Sequence, residues 1–137
     1  MDALPHWPEG TVAVLTTHPA HAIPVSLALR AGDRELLIGL APRRRSLELL
    51  RADPRCAITV LSRGMAFTAH GRAVAFSEPD PVVAVRIEVD AIADHDSPAF
   101  EIDAGVSWRW TDDSARERDA SARDALARFA SQEDVRP

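Results

Sequence analysis

Four apolar runs of seven residues each, TVAVLTT (11–17), IPVSLAL (23–29), ELLIGLA (35–41) and CAITVLS (56–62), set the length scale of this chain. Each is shorter than a usual helix, and three of the four carry two or more β-branched residues, so strands are expected. HPAHA supplies a turn with Pro19, RAGDR a second around Gly32 and Asp33, and Arg63-Gly64 a third. MAFTAHGRAVAFS (65–77) reads as a long strand that Gly71 bends or bulges, because a strand glycine often marks such a site. EPDP (78–81) breaks the chain. VVAVRIEVDAIA (82–93) then alternates, with Val85, Ile87 and Val89 on a buried face and Arg86, Glu88 and Asp90 on a wet one. AFEIDAGVSWRW (99–110) is expected to complete the strands, with Trp108 and Trp110 on one face, in the core or at a dimer interface.

Helical patterning is confined to two places. Ser46–Ala52 sets Leu47 and Leu50 one turn apart and ends where Asp53 precedes Pro54. Residues 111–132 form a charged helix with a cap among Thr111, Asp112 and Asp113 and a stripe of Ala115, Ala122, Leu126, Phe129 and Ala130. The expected class is therefore mainly β (α+β): a six-stranded antiparallel barrel, closed or split, with one internal and one C-terminal helix. One domain over residues 1–137, irregular over 1–10, suits a chain of this length. No glycine-rich loop joins a strand to a helix, so Rossmann and P-loop readings have no support.

Charge narrows the function. Residues 1–72 hold 9 Arg against 6 acids (+3) and residues 73–137 hold 7 Arg against 15 acids (−8), which gives the net −5. An acidic chain is a poor partner for nucleic acid. All 16 cationic residues are arginine, which excludes Schiff-base chemistry by a lysine. The single cysteine, Cys56, leaves no internal disulfide, and MDALPHWPEG has no signal-peptide pattern, so a reducing cytoplasm is expected. No run approaches the roughly 20 apolar residues of a membrane span.

The first-half charge concentrates in APRRRS, where Arg43, Arg44 and Arg45 stand at the start of the internal helix. Cations there oppose the helix dipole by roughly 0.3–1 kcal/mol each. Either they are a solvated cluster, or they gather an anion at a helix start, which suits one in any case. His18 and His21 in HPAH flank a turn with no third ligand placed nearby, so they read as surface residues rather than a metal site. His70 reads as structural, Cys56 as a small core residue, and DHDS (94–97) as a polar loop. No Ser-His-Asp, paired-carboxylate or Cys-His set emerges.

TVAVLTT, AIPVSLAL, LLIGLA, RRRSLELLRADPRCAITV and HGRAVAF, in this order over residues 11–77, resemble the pyridoxamine 5′-phosphate oxidase-related family of flavin-binding split barrels. The resemblance implies a phosphorylated flavin, FMN or a deazaflavin, with its phosphate held by Arg44, Arg45 and Ser46 and assisted by Arg43. Ser46 stands where the family often has lysine, and a polar flavin contact seen in some members falls at Ala66. Gly39, Leu40, Ser26 and Leu27 would line the cofactor. A homodimer with the site between subunits is implied, and so is an oxidoreductase acting on a small molecule. A non-catalytic flavin- or haem-binding protein and a cofactor-free scaffold are the alternatives.

Overall fold

A computed structural model describes residues 1–78 and 82–134 of the chain. Its strands are β1 (Ala13–Thr17), β2 (His21–Val25), β3 (Ala28–Gly32), β4 (Glu35–Leu40), β5 (Arg55–Ser62), β6 (Met65–Ser77) and β7 (Val83–Asp94). Helix α1 (Arg45–Ala52) lies between β4 and β5, and α2 (Asp113–Asp134) follows β7. All seven strands form one antiparallel sheet in the order β2-β1-β5-β6-β7-β4-β3, curled into a half-barrel. Of the break expected at EPDP, Pro79, Asp80 and Pro81 lie outside the described residues.

Seven strands replace the expected six because IPVSLAL is not one strand. Val25 ends β2, paired with β1, and Ala28 opens β3, paired with β4. The two strands are the opposite edges of the sheet. Ser26 and Leu27 therefore carry the chain across the barrel's split, a change of partner that apolar patterning cannot encode. The Gly39 amide donates to the Leu27 carbonyl at 3.0 Å and ties this crossing to β4.

Alternation along the strands sends one set of side chains inward. Leu15, Ile38, Ile58, Phe67, Val85 and Ile87 are buried in the main core, and Leu47 and Leu50 of α1 join it. Burying each such side chain contributes roughly 1.5–3 kcal/mol. Trp7 of the irregular N-terminal segment also packs on it, 5.9 Å from the Phe67 ring, and donates its Nε1–H to the Ala28 carbonyl. Gly71 lies at a register shift between β6 and β7, as its place in the strand predicted. A Cβ there would come within 2.2 Å of the Glu88 carbonyl oxygen.

A second, smaller core lies on the outer side of the barrel, where Ala122 and Leu126 of α2 cover Leu27, Leu37 and Ala84. Asp112 caps α2 by accepting from the Ser114 amide at 2.9 Å. The helix also corrects the reading of β7. Val85, Ile87 and Val89 point inward and Glu88 and Asp90 stay exposed, but Arg86 is only 4% exposed. It lies against the Phe129 ring of α2 and pairs with Glu35 at 2.9 Å. A long arginine stem can be buried where neighbouring elements supply a carboxylate and an aromatic face.

Residues 99–110, expected to complete the strands, form no strand and pair only through an isolated Ser97–Phe100 bridge. This segment crosses the outer face of β5 instead. The Gly64 amide donates to the Ile102 carbonyl, and a Cβ at Gly105 would meet the Leu61 carbonyl oxygen at 2.8 Å. Trp108 and Trp110 are in contact edge to face, with ring centroids 5.0 Å apart, and both are partly exposed rather than in the core.

Candidate functional site

Where the chain crosses the split, the barrel opens into a cleft of about 300 Å³. Val25, Ser26 and Leu27 form one wall, and Gly39 and Leu40 at the end of β4 form the floor. Arg44 reaches it from the start of α1. Arg118, Asp119 and Ala122 of α2 close the far side. Five of the residues named from sequence (Ser26, Leu27, Gly39, Leu40 and Arg44) thus meet in one place, although they come from separate elements.

The other three stand apart from it. Arg43 is exposed outside the lining, and Arg45 is exposed and paired with Glu48 of its own helix at 3.3 Å. Ser46 is 1% exposed, and its Oγ has no hydrogen-bond partner among the described residues. An unpartnered buried hydroxyl costs free energy, and it sits at a helix start that no side chain caps. Arg44 is the N-cap residue and its carbonyl accepts from the Leu47 amide, while its side chain makes no capping bond and lines the cleft. Among the described residues neither Arg44 nor Arg118 forms an ion pair.

The α2 wall was not among the residues expected from the sequence. Arg118 lies four residues before Ala122 of the apolar stripe, so helical spacing places the two on one side. That spacing was the available signal. Asp119 is held by Arg123 at 3.5 Å, and Arg123 also reaches Glu9 and the Ser26 carbonyl, at 3.2 and 3.3 Å. One guanidinium thereby fastens α2 to the crossing itself. A wider hollow of about 430 Å³ beside Trp7 contains Arg30 and Arg123. Both are already engaged, Arg30 by Asp33 and the Leu4 carbonyl, which leaves that hollow no unpaired cation among the described residues.

Elsewhere the chemistry is quiet. Burial, with a smaller contribution from the charge of Asp90, pushes the Cys56 thiol up to about 12, so it is no nucleophile near neutral pH. Asp53 accepts from the Arg55 guanidinium and backbone amide, and those bonds hold its carboxyl down at about 2. Among the described residues no three His, Cys, Asp or Glu side chains gather as a metal site would require. No described helix is long and apolar enough to cross a membrane. Ala66 is buried, and its carbonyl accepts from the His95 amide.

No model of a known protein family matches the sequence, and no curated protein matches it. Solved structures do. A provisionally assigned pyridoxamine 5′-phosphate oxidase from Listeria innocua is 18% identical with a TM-score of 0.53, covering 64% of this chain and 90% of its own. An NADH:FAD oxidoreductase from Streptomyces globisporus is 12% identical with a TM-score of 0.56, covering 73% and 86%. An F420 reductase is 10% identical with a TM-score of 0.50, covering 62% and 90%. At such identities the likeness is one of fold.

Proposed function

We propose that this chain, which has the split-barrel fold of the pyridoxamine 5′-phosphate oxidase-like proteins, binds a phosphorylated flavin in the cleft at its split and works as an oxidoreductase on a small molecule. The observation that carries the reading is the meeting of Ser26, Leu27, Gly39, Leu40 and Arg44 around one cavity. The cavity is at the low end of the roughly 300–1,000 Å³ of small-molecule sites, so it suits part of such a ligand, with the remainder outside. Arg44 offers two parallel N–H donors to a phosphate. The uncapped start of α1 adds amide donors with the same preference. The apolar sides of Val25, Leu27 and Leu40 exclude water from the ring end.

When bound, the flavin supplies the hydride and electron chemistry, and the protein supplies position and charge. FMN is the first choice. A deazaflavin carrying the same phosphate arm is the alternative, and the fold shared with an F420 reductase supports keeping it.

A homodimer is part of the proposal. Val14 on β1 is flanked by Pro24 of β2 and Thr59 of β5, so the outer face of the sheet runs directly to the cleft wall. Val14, Leu61 and Val106 are 37%, 49% and 66% exposed around a groove on that face. Exposed apolar patches of this kind mark interaction surfaces. A second copy seated there would reach the cleft and supply the wall that a larger ligand needs. The Leu61→Glu variant should then elute as a monomer in light-scattering chromatography. The buried free thiol of Cys56 fits a reducing cytoplasm.

One observation favours a non-catalytic flavin- or haem-binding protein instead: among the described residues Asp119 is the only acid–base group lining the cleft besides arginine, and it is already paired. The absorption spectrum of the purified protein, with mass spectrometry of any released ligand, tests binding. Turnover of NADH or a reduced deazaflavin with a panel of acceptors tests catalysis. A colourless protein that takes up neither FMN nor a deazaflavin would overturn the flavin reading.

A further inference from the structure

The cleft brings together two guanidinium groups, neither of them in an ion pair among the described residues. Arg44 comes from the start of α1 and Arg118 from the second turn of α2, about 70 residues later in the sequence, and both line the same cavity. The acid beside them, Asp119, is engaged by Arg123. With that carboxylate paired, a surplus of positive charge on low-dielectric walls concentrates anions. Two cations held at one opening repel each other unless an anion lies between them.

We propose that Arg118 is the second half of the anion grip, so that α2 forms one jaw of the site and α1 the other. The ligand group would be a phosphate ester, gripped by Arg44 from one side and Arg118 from the other. The jaw can take up that role because of how α2 is attached. It packs on the barrel through Ala122, Leu126, Phe129 and Ala130, and its cleft-facing turn is pinned through Arg123 to Glu9 and to the Ser26 carbonyl. Ala122 leaves open the space that a larger residue would fill. A bound phosphate would add a link between α1 and α2, and ligand binding would fasten the helix to the barrel.

The proposal rests on the flavin reading only for the identity of the ligand. Its test titrates the full-length protein with FMN, riboflavin and inorganic phosphate, comparing wild type, Arg44→Ala, Arg118→Ala and Arg118→Lys. Hydrogen exchange of α2 is followed in each state. Loss of one charge-assisted contact should weaken FMN by about tenfold in Arg118→Ala while changing riboflavin by less than about twofold, with partial recovery in Arg118→Lys. FMN should slow exchange in α2 of wild type but not of Arg118→Ala. If phosphate protects α2 through Arg118 while FMN does not bind, the two-jawed grip stands and the flavin reading falls. If Arg118→Ala binds FMN within twofold of wild type while Arg44→Ala does not, the flavin reading stands and the grip by α2 is overturned. Unchanged exchange in α2 at saturating FMN and phosphate would also overturn it.

Discussion

The amide of Gly39 donates to the carbonyl of Leu27 at 3.0 Å, and a Cβ on Gly39 would lie 2.4 Å from Leu27 Cδ2. The same glycine that floors the cleft is thus the one that lets the barrel's crossing segment press against β4. Its small size serves packing, and the cleft inherits the result.

Gly39→Ala should therefore destabilise the protein by about 1–3 kcal/mol, because Leu27 is buried and can only partly yield. Gly71→Ala should cost more, since its Cβ would meet the backbone of Glu88 rather than a side chain. Urea unfolding of the two variants checks the order. A Gly71→Ala protein as stable as wild type would show that the strand shifts freely at its bulge.

The arginine run should divide by function. Arg44→Ala is expected to weaken FMN binding by about tenfold or more, whereas Arg45→Ala, whose side chain pairs with Glu48 outside the cleft, should change it by less than about twofold. Fluorescence titration of both single variants decides. Equal losses would mean that the phosphate lies across the helix start rather than in the cleft.

Arg86 has two guanidinium nitrogens, Nε and Nη2, with no hydrogen-bond partner among the described residues, and it is tied to Glu35. Glu35→Ala should leave a buried charge uncompensated and cost about 1–3 kcal/mol, reduced from the fully buried case because Glu35 is 36% exposed. Arg86→Met, which removes the charge and keeps the stem, should be neutral or stabilising. Thermal melts of the two variants should move in different directions or by clearly different amounts.

The Cys56 thiol should resist thiol reagents at pH 8 in the native state and react on unfolding. Its folded value of about 12 lies above the ordinary thiol value of 9.0, so the folded state favours the neutral thiol. Its contribution to stability is whole below pH 9 and is lost as pH rises towards 12. Rapid labelling of the native protein would contradict the buried placement.

Asp53 runs the other way. Its carboxyl is depressed from 3.8 to about 2 by the Arg55 bonds, so its contribution is present above pH 3.8 and lost as pH falls to about 2. Wild type and Asp53→Asn should differ in stability at pH 5 and converge by pH 2. Parallel acid-unfolding curves would remove the role of that ion pair.

Local chemistry by itself determined much of this protein. Short apolar runs and turn residues placed the strands, Asp53 before Pro54 ended α1, and Gly71 marked the bulge. Each of these depends on a few neighbouring residues, so each could be read in order. The tertiary structure decided what covers each face and which partner each strand takes. It split IPVSLAL at Ser26 and Leu27 because the two halves pair with opposite edges of the sheet. It buried Arg86 because α2 brings Phe129 over it and β4 brings Glu35 beside it. It separated Arg44 from Arg45, adjacent in sequence, because neighbouring residues at a helix start point in different directions. Alternation shows that a side chain has a face, but only distant elements, folded against it, determine whether that face meets water, a core or a ligand.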